Sequence, residues 1–268
     1  MKCTNRTHHL KIKLLCISCI AALFMNGCGT GKTADIQNPY SLTGDNSSVS
    51  NQFFARNLCV TDDINFGTDQ VHADYAEGAG VFDLTTKEVL YSQNLFEKLY
   101  PASTTKILTC IVAMEQCKPD EVVTFSAKAA SQPKVHLGAK KGEQFYMQDL
   151  WYGLMLESYN DCAYAIAEHV AGSAEKFAAL MNEKAKKIGC TDSHFVTPNG
   201  LDAKDEQGEH HTTAYDLCRI MSYCAWKSPV SKQFLEVTQT RSHTFQSLEG
   251  TGYAVSNKNA LLDMMDHV

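Results

Sequence analysis

Apolar and polar positions alternate in two stretches of the chain and follow a helical period in most of what lies between. From Gly78 the chain reads GAGVFDLTTKEVLYSQN, two short apolar runs on either side of Leu84-Thr85-Thr86-Lys87, which predicts a β-hairpin. Thr104 to Gln116 follows, with Ile107, Leu108, Ile111, Val112 and Met114 covering most sides of a helix, so that helix is predicted to be buried. Pro101 marks the turn before it and Ser103 sits at its first turn. Residues 121–147 carry no sustained period and read as irregular. A second helix is predicted over Met147 to Leu156, interrupted at Glu157-Ser158-Tyr159-Asn160, and a third over Asp161 to Val170, ending at Gly172. A fourth runs from Ser173 to Ile188, with Phe177, Leu180, Met181 and Ile188 on one face and Gly189 after its end. Pro198-Asn199-Gly200 reads as a turn, and Thr213 to Trp226 as a fifth helix with a stripe of Leu217, Ile220, Met221 and Cys224. The segments RSHTF and GYAVS are strand-like and precede a short Leu261-Leu262 run. Strands, then helices, then strands predict a sheet with helices packed on it, an α/β or α+β domain.

The first 58 residues follow a different pattern. Leu14 to Met25 is one apolar run behind a basic start that holds Lys2, Arg6, Lys11 and Lys13 and no acid. The run is shorter than the roughly 20 residues of a spanning helix, so residues 1–27 read as an export signal. Gly27-Cys28 resembles a lipoprotein cleavage site, with Cys28 the lipidated first residue; Met25 departs from the usual Leu or Val, and a plain export signal is the alternative. Both place the body outside the cytosol. Residues 28–58, rich in Ser, Thr, Asn and Gly, read as a flexible tether, which leaves 59–268 as the domain. Gly29-Thr30-Gly31-Lys32-Thr33 looks like the end of a phosphate-binding loop, but no strand leads into it.

The 268 residues are 44% hydrophobic and 20% charged, a globular composition. The net charge of −6 hides an asymmetry: beyond residue 27 there are 20 basic and 30 acidic side chains, and so acidic a body argues against a nucleic-acid partner. Of 11 cysteines, Cys3, Cys16 and Cys19 fall in the signal and Cys28 at its end. The other seven are scattered without a C-x-x-C pair, which reads as small core residues and disfavours a zinc ribbon. Adjacent His210-His211 lacks a ligand triad at suitable spacing, so no metal is expected there.

Ser103-Thr104-Thr105-Lys106 is S-x-x-K at the start of the buried helix. A spacing of three puts both side chains on one face, one turn apart. A serine hydroxyl becomes a nucleophile when a base takes its proton, and a lysine serves as that base once burial disfavours its ammonium. Free N–H groups at the helix start would face an oxyanion. Ser158-Tyr159-Asn160, S-x-N in the break between two helices, has two readings. Ser158 or Asn160 caps the helix that follows; or Ser158 relays a proton between Lys106 and a leaving amine while Asn160 binds a substrate amide.

The strings YPASTTK, LMLESYNDCAYAIAEHVAG, HFVTPNGLD and HHTTAYDL together resemble the D-alanyl-D-alanine carboxypeptidases, the low-molecular-weight penicillin-binding proteins, over nearly the whole body. The resemblance implies a penicillin-binding, β-lactamase-like sheet with helices on both faces plus a helical lobe. It implies Ser103 as the acylated nucleophile, Lys106 as its base, and Ser158 and Asn160 as the second element. The substrate would be a peptidoglycan stem peptide, β-lactams would be inhibitors, and no metal or organic cofactor is implied. The family's third element, K-T-G, should follow the NKNALL string, but the chain reaches Val268 without it, and Gly250-Thr251-Gly252 lies before that string and lacks the Lys. The chain is therefore expected to be truncated, its C-terminal strands missing, and to fold poorly or turn over slowly as it stands. A β-lactamase of the same fold and a non-catalytic, lipid-anchored cell-wall-binding protein remain as alternatives.

Overall fold

A computed structural model of the chain describes Asn65, Gly67, Thr68 and residues 73–84 and 88–264. The signal segment, Cys28, the tether, Cys59 and Thr85-Thr86-Lys87 lie outside the described residues.

The predicted hairpin is formed by β1 (Ala79–Asp83) and β2 (Glu88–Gln93), paired antiparallel from Ala79 opposite Gln93 to Asp83 opposite Glu88. A 3₁₀ turn (Ala102–Thr104) then leads into α1 (Thr105–Gln116). The long helices α3 (Met147–Leu156), α4 (Asn160–Ala171), α5 (Ala174–Ile188) and α6 (Ala214–Trp226) fall where the periodicity predicts them. Gly172 and Gly189 end α4 and α5 in the left-handed conformation, which costs a glycine nothing for want of a Cβ. Two segments depart from the sequence expectation. Residues 121–147 contain β3 (Val122–Thr124), the short α2 (Ala127–Ala130) and β4 (Gln144–Tyr146). Each of these strands is three residues long with one buried side chain, Val123 or Phe145, too short for alternation to register. The unpredicted helix α7 (Ser231–Gln239) buries only Phe234 and Val237 and lacks a side-chain cap, so neither its stripe nor its start stands out. A two-residue pair, β5 (Lys204–Asp205) and β6 (Gly208–Glu209), precedes α6; β7 (Ser242–Gln246) and β8 (Gly252–Ser256) form the final hairpin before α8 (Leu261–Met264).

The mixture of helices and strands is that of the expected α/β (α+β) class. Among the described residues the strands pair as four two-stranded antiparallel sheets, each between strands consecutive in the chain, where the resemblance implies one continuous sheet.

Helix α1 is the axis of the core. It packs against α3, α4, α5, α6 and α7, and Leu108, Cys110, Ile111, Val112, Ala113 and Met114 are all buried. Each large apolar side chain so enclosed stabilises the fold by about 1.5–3 kcal/mol. A smaller cluster seats the first hairpin on α6. There Tyr215 meets Phe82 and Phe96 at ring-centroid distances of 6.2 and 5.1 Å, beside Leu95. The six cysteines among the described residues are free; Cys110, Cys162 and Cys224 are core residues, as their setting in apolar helices implies.

Candidate active site

An apolar helix has little use for a lysine in its second position, yet Lys106 is only 2% exposed. Its Nζ donates to three oxygens, Ser103 Oγ at 3.1 Å, Asn160 Oδ1 at 2.9 Å and the carbonyl of Asn199 at 2.7 Å. None of these is a carboxylate, so burial goes uncompensated and lowers the lysine to about 8. The three partners also fix where the amine points. A neutral amine keeps two N–H groups and one lone pair. The two carbonyl-type oxygens can only accept, so they take the N–H groups and leave the lone pair for the Ser103 hydroxyl, which can donate. Ser103 itself is exposed, open to a substrate.

Three devices hold the lysine's partners. The first is the 3₁₀ turn before α1, where the Thr104 N–H donates to Pro101 O at 3.1 Å and that of Thr105 to Ala102 O. The turn thereby consumes N–H groups that the sequence leaves free for an oxyanion, because its tighter i to i+3 bonds satisfy the helix start internally.

The second is the break between α3 and α4. Ser158 adopts φ +64°, and neither it nor Asn160 caps α4; Tyr159 holds the cap position without a side-chain bond. The Asn160 amide is engaged at both ends, Oδ1 by Lys106 and Nδ2 by Pro133 O at 3.0 Å, while its backbone N–H donates to Val135 O at 2.7 Å. Where the sequence assigns Asn160 a substrate amide, the fold gives it Lys106 to orient. Asp161 accepts from the N–H groups of Leu137 and Gly138 at 2.8 and 2.9 Å and so ties residues 133–138 onto the start of α4. Lys106 joins Ser103 and Asn160 directly, whereas Ser158 Oγ is buried and makes no hydrogen bond among the described residues. The neighbouring Glu157 is engaged by Lys258 Nζ at 3.1 Å and the Ser256 N–H at 3.1 Å.

The third is the Pro198-Asn199-Gly200 turn, which the sequence marks only as a turn. The Asn199 carbonyl meets Lys106, and its amide reaches Gln132 Oε1 at 2.8 Å. Thr109 Oγ1, one helical turn below Thr105, donates to Pro198 O at 2.6 Å. Gly200 has φ +82°, and a Cβ there would stand 1.8 Å from the Ala102 carbonyl oxygen. Asn199, Gly200, Gln132 and Asp161 are thus site-building residues that motif reading misses; the only signal of them is the turn triplet and the acid following Asn160.

His210 serves the same scaffold. Its Nδ1 accepts the N–H groups of Val196 and Thr197 at 2.9 and 3.3 Å, so its proton sits on Nε2, 2.9 Å from Thr105 Oγ1. Burial lowers it to about 4, against an ordinary value of 6.5. The unfolded chain therefore takes up this proton as pH falls below about 6.5 and the folded protein resists until about 4, so stability present above 6.5 is lost through that window. Denaturant unfolding is expected to show roughly 2 kcal/mol lost from this group between pH 7 and pH 5, above the carboxylate range, with the slope reduced in His210→Gln. An unchanged slope in the variant contradicts the assignment. His211 turns the other way, its Nδ1 2.7 Å from Glu209 O.

A serine and a buried lysine share a hydrogen bond at a helix start, and the fold around them is that of penicillin-binding and DD-peptidase structures. It matches a D-alanyl-D-alanine carboxypeptidase structure from Mycobacterium tuberculosis H37Rv with a TM-score of 0.62 and 31% identity, over 70% of this chain and 68% of that one. A Streptomyces K15 DD-transpeptidase mutant matches with a TM-score of 0.62 and 25% identity, over 71% and 77% of the two chains. Residues 66–267 match the model of peptidase family S11, D-alanyl-D-alanine carboxypeptidase, and the chain belongs to that family. Relatives include D-alanyl-D-alanine carboxypeptidase DacF of Bacillus subtilis, 36% identical over 150 residues that are 54% of this chain and 38% of that protein. DacD of Salmonella typhimurium is 32% identical over 193 residues, 68% of this chain and 46% of the relative. The match thus spans less than half the length of these curated relatives.

Proposed function

We propose that the chain is a serine-type D-Ala-D-Ala carboxypeptidase that removes the terminal D-Ala from peptidoglycan stem pentapeptides. The observation that carries this is the Lys106 amine, buried among three neutral oxygens, one of them Ser103 Oγ at 3.1 Å. Neutral Lys106 takes the hydroxyl proton as Ser103 Oγ bonds to the carbonyl carbon of the penultimate D-Ala. The tetrahedral intermediate collapses with cleavage of the C–N bond, and the leaving amine receives a proton from the Lys106 ammonium, with Ser158 as the relay. Water, deprotonated by the same amine, then attacks the ester and frees Ser103. Asn160 and the Asn199 carbonyl keep the amine aimed in each step. A β-lactam offers a strained amide to the same oxygen and leaves a stable ester. A β-lactamase needs a further base for rapid deacylation; Glu157, the nearest acid in sequence to Ser158, is already engaged by Lys258 and Ser256, which favours the peptidase.

The test is intact-mass spectrometry after exposure to a fluorescent penicillin, together with D-Ala release from a pentapeptide. One long-lived adduct on the peptide holding Ser103, and D-Ala release, are expected, both absent in Ser103→Ala. Adduct without release leaves a penicillin-binding protein that is no peptidase; turnover of the adduct within seconds makes it a lactamase. The basic start, the 12-residue apolar run and Gly27-Cys28 support an exported protein held at the membrane surface by a lipid on Cys28, to be checked by palmitate incorporation that Cys28→Ala removes. Among the described residues no helix is long and apolar enough to cross a membrane.

A further inference from the structure

We propose that Cys117, Glu121 and His169 form a binding site for a borderline transition-metal dication such as Zn²⁺, at the end of the domain remote from Ser103. Cys117 stands where α1 ends, Glu121 closes the loop leading into β3, and His169 lies in the last turn of α4. Their ligand atoms, one sulfur, one carboxylate oxygen and one imidazole nitrogen, all lie within 4.8 Å of one another, and His169 Nε2 is 3.0 Å from Glu121 Oε2. A thiolate and an imidazole with a single carboxylate suit zinc or cobalt; calcium and magnesium prefer all-oxygen shells. Three protein ligands leave one tetrahedral position for water, and exposed His169 provides the way in.

The cluster is built rather than adventitious in its geometry. Glu121 Oε1 is held by the Lys118 N–H at 2.7 Å, which turns Oε2 toward His169. The loop that carries Glu121 is pinned to the start of α3, Met147 N–H donating to Glu121 O at 2.8 Å and Gln148 N–H to Pro119 O at 3.0 Å. Such outer contacts orient ligands before a metal arrives. Binding releases the Cys117 thiol proton to solvent, and thiolate plus carboxylate then neutralise the dication. At about 1.5 Å of rise per residue, Cys117 is roughly 16 Å along α1 from Lys106, too far to join the chemistry. The metal would instead clip α1 to α4, whose other ends bear the Ser103-Lys106 and Ser158-Asn160 elements.

The full chain, reduced and stripped with chelator, is titrated anaerobically with Co²⁺. One equivalent is expected to produce the near-ultraviolet thiolate-to-cobalt absorption and tetrahedral visible bands, both bleached by Zn²⁺. Cys117→Ser is expected to lose the thiolate band, and His169→Gln, at an exposed position, to weaken Co²⁺ binding by about tenfold or more. With zinc at about a hundred times its Kd, Tm is expected to rise by roughly 5–10 °C in the parent and not in Cys117→Ser. No thiolate band at one equivalent overturns the proposal, as does a band that persists in Cys117→Ser, which would assign the metal to another thiol. If Cys117→Ser fails to fold, unaltered Co²⁺ affinity in His169→Gln overturns it equally.

Discussion

Lys106→Met is expected to slow penicillin acylation of Ser103 by about 10²–10⁴-fold, the range that a positioned general base contributes. Methionine nearly matches the lysine stem and keeps the apolar packing of α1, but it removes the group that receives the serine proton. It also leaves Asn160 Oδ1 and the Asn199 carbonyl without their donor. Each unsatisfied acceptor costs about 1–3 kcal/mol, so a loss of stability is expected beside the loss of rate. The two effects separate in Ser103→Ala, which abolishes acylation and leaves both acceptors bonded to Lys106. The pH profile carries the signature of the base. Because burial holds Lys106 near 8, the neutral fraction rises through that value, and the acylation rate is expected to climb from pH 6 and level off above about 8. Between about 8 and the ordinary 10.5 the unfolded chain holds a proton that the folded protein has released, so this group makes stability increase with pH across that window. An acylation rate independent of pH from 6 to 9, or a Lys106→Met protein acylated within tenfold of the parent rate, removes the lysine from the role of base.

Gly200→Ala is expected to be the most damaging glycine-to-alanine change among the described residues. The added carbon would lie 1.8 Å from the Ala102 carbonyl oxygen and 2.9 Å from Thr105 Oγ1, on a backbone at φ +82°. No rotamer can relieve a clash made by Cβ itself. Either the Pro198-Asn199-Gly200 turn retreats, taking the Asn199 carbonyl from Lys106, or the 3₁₀ turn carrying Ser103 shifts. Ala102 has little room to yield, since its own φ is +46°. A loss of about 3 kcal/mol or more in denaturant unfolding, with acylation reduced at least a hundredfold in whatever folds, is the expected outcome. Gly138→Ala is the control. It also has positive φ, +82°, but nothing lies within 4 Å of the added carbon, so only the conformational cost of about 1 kcal/mol is expected. Equal effects at the two glycines would show that contact with Ala102 is immaterial.

The contrast between these two sites shows why some of the molecule is legible in its sequence. Helices α3 to α6 announce themselves through apolar stripes and terminal glycines because periodicity and capping act within a few residues. S-x-x-K is legible for the same reason, its two side chains lying about one turn apart across the start of α1. The three-residue strands β3 and β4 and the two-contact helix α7 fall below that resolution, because each is held by what packs on it. Asn160 reads from the sequence as a cap or a ligand for substrate, since nothing local reveals that a lysine 54 positions earlier has claimed its oxygen.

The positions of the long helices, the S-x-x-K spacing and the resemblance to the D-alanyl-D-alanine carboxypeptidases follow from residue order alone, because each is written in short-range spacing. The aim of the lysine lone pair does not. It depends on a carbonyl 93 residues away, carried on a turn that approaches α1 because residue 200 has no side chain, and a backbone carbonyl looks the same at every position of a sequence. The gathering of Cys117, Glu121 and His169 is of this second kind: their spacing of 4 and 48 residues matches no metal motif, and the packing of α1 against α4 is what brings them together.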